Sequence, residues 1–177
     1  VLVVFYNITL GHYIRHLIDQ APYSFQWSNI EILHFHGFCS LYLRENGIDW
    51  PEDDDDEVFT KGVPEMVSDL MEKGINTKNR KYDAILIDEG QDFDESWFGA
   101  LSKFLVDSGE VLLVADERQN IYDRIHTFEG MSFSGPWGSL ESSYRMPSNL
   151  IREVNRFADS FVDRPDEEFT SGTVKET

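Results

Sequence analysis

The sequence predicts an α/β protein, a parallel β-sheet with helices on both of its faces, and three observations predict it. Short apolar runs rich in branched residues recur at 2–5, 30–33, 84–87 and 111–115, the pattern of buried strands. Amphipathic helical stripes stand between them. The run Ala84-Ile85-Leu86-Ile87 contains no polar residue, which fits a strand covered on both faces. Strand and helix in alternation imply parallel strands joined by crossover helices, and open sheets of this kind place ligands at the carboxyl ends of their strands.

Each element follows in chain order. After the first strand, Leu10, Tyr13, Ile14, Leu17 and Ile18 recur at i, i+3, i+4, i+7 and i+8, one face of a helix. The second strand precedes a segment, 46–81, that carries the acidic run "PEDDDDEV" and one weak helix around 63–71. That segment reads as a small insertion, not a second core. The strand 84–87 runs into Asp88, and a helix with the stripe Trp97, Phe98, Leu101, Phe104 and Leu105 follows behind a cap at Asp94. Then come the strand 111–115 and, after Pro147, a helix with the stripe Leu150, Ile151, Val154, Phe157, Ala158 and Phe161. Beyond Val162 no periodicity remains. The expected organisation is therefore one domain over 1–162, with 163–177 a polar tail or the start of a linker.

Composition narrows the class. With 177 residues, 41% of them hydrophobic and 14% aromatic, the chain can bury one sizeable core. Its single cysteine, Cys39, cannot form an internal disulfide, and no apolar stretch approaches the ~20 residues of a membrane helix. A cytoplasmic protein with no membrane partner is expected. "VLVVFYN" has no basic segment before it and no small-residue cleavage site after it, unlike a signal peptide, and a start on Val1 inside a strand pattern suggests a chain cut from something longer. The net charge of −18 argues against nucleic acid on electrostatic grounds. Part of that charge is local, in the runs 51–58 and 163–169, which read as solvated surface tracts.

The chemistry centres on "YDAILIDEGQDFDESW", 82–97. Asp88, Glu89, Asp92 and Asp94 crowd the end of a buried strand, and like charges repel unless a cation is shared. A hydrophobic strand ending in Asp-Glu suits magnesium binding and water activation, one carboxylate holding the hydrated ion and its neighbour accepting a proton. The plainer alternative is that the pair solvates a strand end or caps the next helix. A magnesium-dependent nuclease built from Asp88, Glu89 and Asp92 is disfavoured, since consecutive acids cannot all face one metal and no histidine or lysine accompanies them.

"LIDEGQDF" is followed by "VADERQNIYDR" and "LESSYRMPSNLIREVNRFA", and preceded by "VVFYNITLGHYIRHL" and "ILHFHGFCSLYL". In this order and spacing the five segments resemble the first motor domain of superfamily 1 DNA helicases of the UvrD/Rep type, over 2–161. The resemblance implies a truncated RecA-like, P-loop NTPase-type sheet, with ATP and Mg2+ as cofactors of the intact protein. It implies that Asp88 holds magnesium through water, with Glu89 beside it polarising the attacking water. It implies that Gln119 contacts the γ-phosphate, that Arg145 pairs with it, and that Tyr144 stacks on the adenine, a guanidinium being suited to phosphate. Single-stranded DNA or RNA would meet Phe5, Asn7, Phe35, His36 and Tyr122, although Phe5 and Phe35 can equally be core residues, and His36 reads as a hydrogen-bonding loop residue, not a zinc ligand.

The departures from the family are specific. Ile8 stands where a basic residue is usual, Arg124-Ile125 where an aromatic-Arg pair is usual, Ala115 for glycine and Ser143 for asparagine. No G-x-x-x-x-G-K-[ST] occurs in these residues, so the phosphate loop and the second motor domain would both be supplied from outside them. The expectation is a piece of an ATP-dependent helicase or translocase, inactive by itself, whose intact form couples ATP hydrolysis to movement on single-stranded DNA. The alternative is a non-hydrolysing module, derived from such a motor, that binds protein or nucleic acid.

Overall fold

A computed structural model describes residues 1–24, 26–52, 55–74, 80–116, 135–136, 138–139, 142–143, 147–161 and 170–171. The chain divides into two compact units, Val1–Ser134 and Gly135–Thr177. In the first, β1 (Leu2–Phe5), α1 (Leu10–Asp19), β2 (Glu31–His34), α2 (Phe35–Glu45), α3 (Val63–Lys73), β3 (Tyr82–Asp88), α4 (Glu95–Ser102) and β4 (Leu105–Leu113) follow one another. The strands form a four-stranded, all-parallel sheet in the order β2-β1-β3-β4. This is the α/β class that the alternation of patterns predicts.

That strand order decides where the helices go. Crossovers between parallel strands are right-handed, so a helix lands on one face when the chain steps one way and on the other when it reverses. The chain steps outward from β1 to β2, then turns back across β1 to β3 and on to β4. α1 therefore lies on one face, and α2, α3 and α4 lie on the other. Side chains agree: Leu2, Val4, Ile85 and Ile87 point into one core with Phe38, Tyr42, Leu43, Val67, Trp97 and Leu101. Phe5 alternates to the opposite face, where Gly11 of α1 rides so close over its ring that a Cβ there would stand 2.8 Å from Cζ. Arg15 of the same helix donates to the Ile32 carbonyl at 3.0 Å.

Trp97 is the hub of the larger core. It is 1% exposed, stacks on Phe35 with ring centroids 4.4 Å apart, and meets Phe93 edge-on at 5.4 Å. Its indole N–H donates to the Thr60 carbonyl at 2.7 Å, and the Ser96 hydroxyl donates to the same oxygen at 3.2 Å. Thr60 lies in a π-helical turn, Val58–Gly62, whose wider winding frees carbonyls from the usual ladder. Val63 and Val67 of α3 are fully buried in this same core, so the segment 46–81 contributes to it directly. Cys39 is wholly buried too, and burial pushes its thiol well above the usual range, which removes its nucleophilic form.

Some boundaries differ from the sequence expectation. α4 begins behind Asp94, whose carboxylate accepts from the Ser96 N–H at 3.0 Å, as the pattern predicts. It ends at Ser102, however. Phe104 is buried in the turn beyond, its N–H bonded to the Leu101 carbonyl, and Leu105 opens β4. β4 thus starts earlier than 111, carrying the polar stretch Asp107–Glu110 with a register irregularity opposite 82–84, as a strand at the edge of the sheet among the described residues tolerates. His36 lies in the first turn of α2 rather than in a loop.

At the amino end of the sheet a polar clasp joins three elements. Arg80 donates to both oxygens of Glu31 at 2.9 and 3.0 Å, to Glu45 at 3.0 Å and to the Tyr82 hydroxyl at 3.3 Å. Tyr82 in turn donates to Glu31. Burial, reinforced by the Glu31 carboxylate, pushes the Tyr82 hydroxyl well above the usual tyrosine range, so it stays a donor.

The second unit contains α5 (Ser148–Phe161) and the two-residue strands β5 (Ser142–Ser143) and β6 (Thr170–Ser171), which pair in parallel. Of the expected α5 stripe, Ile151 is buried and Val154 half-buried, while Leu150 and Phe157 are exposed. Among the described residues no helix is long and apolar enough to cross a membrane.

Candidate functional site

The reversal in strand order creates a crevice. β1 continues toward α1 on one face, and its neighbour β3 continues toward α4 on the other, so their carboxyl ends diverge between Phe5 and Asp88, which are paired residues. Open α/β sheets bind ligands at such switch points. One wall is the segment Tyr6–Thr9 and the other the turn Asp88–Asp94. Asn7 makes the first wall rigid: its Oδ1 accepts from the Thr9 N–H at 3.0 Å and from the Thr9 hydroxyl at 2.8 Å. Tyr6, half-buried, stacks on Trp97 across the wall at 6.1 Å.

The acidic turn is held under strain. Glu89 has φ 54° and ψ 45°, and among the described residues it alone, apart from glycine, has positive φ. A left-handed conformation costs a side-chain-bearing residue about 1–2 kcal/mol and persists only where its surroundings over-determine it. The surroundings here are a set of short ties. Asp88 Oδ1 accepts the Glu89 N–H at 3.0 Å. The next residue, Gly90, donates its N–H to the Val114 carbonyl at 2.9 Å, and a Cβ at that position would meet Leu113 Cδ1 at 2.4 Å. Only glycine lets the turn come this close to β4 without displacing Leu113.

Gln91 completes the arrangement. It is 2% exposed, and its amide donates to Glu89 Oε2 at 2.6 Å while its carbonyl accepts from the Asp116 N–H at 2.9 Å. The Glu89 carboxylate, just beyond the end of β3, is thereby held by a fixed donor. Asp94 is set apart as the α4 cap, accepting from Ser96 N–H and hydroxyl at 3.0 and 2.7 Å. Of the four acids that crowd the sequence, Asp88, Glu89 and Asp94 thus make separate contacts.

Other expected site residues fall differently. Phe5 and Phe35 are each 1% exposed, so both rings sit where the core alternative puts them and present no face to a base. His36 packs edge-on against Trp97 at 4.8 Å, and its Nε2 meets the Phe59 carbonyl at 3.0 Å, which requires the proton on Nε2. His34, the last residue of β2, where it pairs with Phe5, caps α2 by accepting the Gly37 N–H at Nδ1, 2.9 Å away. Burial first, and then the nearby His36, hold His34 below the ordinary histidine pKa, consistent with an unprotonated acceptor. Tyr6 and Gln91 are the residues that the sequence reading missed. Gln119, Tyr122, Tyr144 and Arg145 lie outside the described residues, as do the departures at Arg124 and Ile125.

Among the described residues no group of three or more His, Cys, Asp and Glu side chains is gathered to hold a metal ion. Magnesium bound beside phosphate needs only one or two carboxylates, with water and phosphate oxygens completing the shell, and the donor set Asp88 and Glu89 fits that need. Comparisons of the chain with protein-family models, with curated proteins and with solved structures return no match.

Proposed function

We propose that this domain is the first RecA-like motor domain of a superfamily 1 helicase of the UvrD/Rep type, an ATPase that moves on single-stranded DNA. The observation that carries the reading is the Asp88-Glu89 pair at the carboxyl end of β3, with Glu89 held left-handed and its carboxylate aimed by Gln91. A group that merely solvates a strand end has no need of a strained backbone and a buried amide to orient it. Asp88 would hold hydrated magnesium, which would neutralise phosphate charge, and Glu89 would accept the proton of the attacking water. Gln119 and Arg145 would face the γ-phosphate, and Tyr144 the adenine. On the strand-binding side, Asn7 and the half-buried Tyr6 and His36 offer contacts at the same rim, and Tyr122 belongs with them by sequence. Among the described residues the outer edge of β4 pairs with no further strand, so a strand bringing a phosphate loop has a place to join.

The test uses a protein that joins these residues to a phosphate loop and a second motor domain, and measures ATP turnover stimulated by single strands. Glu89→Gln is expected to lower turnover about a hundredfold or more, the usual effect of losing a general base, while nucleotide still binds. Undiminished turnover overturns the assignment. A second reading, a non-hydrolysing interaction module, draws on the net charge of −18, which fits a basic protein partner better than a phosphate backbone. It requires that the same extended protein bind no ATP.

A further inference from the structure

We infer that Gln91 is a positioning residue that couples the Glu89 carboxylate to the backbone beyond β4, so that the two move as one unit. The inference rests on the proposed function only in naming Glu89 as the proton acceptor; the coupling itself needs no nucleotide.

Two hydrogen bonds make the connection. Glu89 Oε2 receives the Gln91 amide at 2.6 Å, a charge-assisted bond, and Gln91 Oε1 receives the Asp116 N–H at 2.9 Å. A side chain that donates at one end and accepts at the other is required, and of the residues of this length only glutamine supplies both without charge. A glutamate would set a second carboxylate against Glu89, and methionine would fill the space with neither group. Burial raises the stakes: at 2% exposure, Gln91 cannot exchange a lost partner for solvent.

The link runs between segments that are distant in sequence and adjacent at the rim. Glu89 and Gln91 sit in the turn after β3, and Asp116 lies just beyond the end of β4, three positions before Gln119 in the chain. The Gly90 N–H to Val114 carbonyl bond supplies a fixed backbone reference beside it. Around that reference, displacement of the carboxylate draws the Gln91 amide with it, and the amide draws the backbone at 116. In the proposed motor this carries the state of the proton acceptor into the segment that holds the phosphate-contacting glutamine.

The experiment is amide hydrogen exchange at Asp116, read by NMR on the 177-residue chain without nucleotide. Gln91→Met is expected to speed exchange about threefold to tenfold, the equivalent of one net hydrogen bond. Glu89→Ala should speed it about twofold to threefold with Gln91 present, and leave it unchanged in the Gln91→Met background, the signature of pairwise coupling. Glu89→Gln keeps an acceptor for the amide and should retain wild-type exchange. An equal effect of Glu89→Ala in both backgrounds, or no effect with Gln91 present, overturns the proposal. If Gln91→Met does not fold, the comparison of Glu89→Ala with Glu89→Gln decides alone, and equal exchange at Asp116 in those two variants overturns it. Turnover that survives Glu89→Gln would remove the proposed chemistry while leaving the coupling intact, so the two failures are distinguishable.

Discussion

The two ends of β3 carry polar clusters built on opposite principles. At the amino end, two carboxylates, Glu31 and Glu45, share one guanidinium, and the tyrosine beside them donates into the same group. Each carboxylate has a cationic partner there, and three elements are pinned. At the carboxyl end, Asp88, Glu89 and Asp94 are held through backbone N–H groups, an amide and a hydroxyl, and the chain accepts a left-handed glutamate to keep them so. A cluster whose carboxylates are tied to a guanidinium serves stability. One that orients like charges at the carboxyl rim of the sheet suits the chemistry proposed for it, and the contrast is what separates the candidate site from the scaffold.

Substitutions can break that contrast from either side. The largest effect is expected from Arg80→Leu, which strands Glu31 and Glu45 with side-chain exposures of 36% and 18%. Removing one partner of such a cluster should cost about 2–3 kcal/mol, less than a fully buried pair because water still reaches these groups, and urea unfolding measures it. The reverse is expected at the other end. Glu89→Gly should be more stable than Glu89→Ala by about 1–2 kcal/mol, because glycine alone escapes the left-handed strain. Equal stability of those two variants would show that the turn is not strained.

The smallest effect separates the ends by pH. His34 must be neutral at Nδ1 to cap α2, and its pKa in the folded protein is lowered by burial and by His36. Its contribution is therefore fully present above the unfolded value of 6.5 and is lost as pH falls below that value and through the lowered folded pKa. A cap of this kind is worth about 1 kcal/mol. Unfolding free energy measured from pH 7 to 5 should fall by that order in the wild type, and the step should vanish in His34→Asn, whose amide oxygen caps without titrating.

Much of this was legible in the residues. β1 occupies the expected 2–5, α1 keeps its predicted start at Leu10, and the Asp94 cap opens α4 as its spacing requires. The same helical spacing also runs through Phe35, Phe38, Cys39, Tyr42 and Leu43, all buried in α2, and would have moved His36 from a loop to a helix. Phe104 misled because an apolar residue three places after Leu101 extends the helical stripe, although it fills the core from a turn. The orientation of Glu89 was not legible. It depends on Asp116, 25 positions away from Gln91, and on a glycine whose role is set by the closeness of Leu113. Nothing local distinguishes a buried glutamine from a surface one.

The position of β1 has a consequence for how the chain is made. It is made before both of its neighbours in the sheet, β2 and β3, and Leu2 must wait for Ile85, about eighty residues later, before its second edge is closed. Pairing at that separation is intrinsically slow, and an open apolar edge is where nascent chains stick to one another. During synthesis, then, β1 stays open on one side until β3 arrives, which makes chaperone capture of the segment around Val3 the natural safeguard.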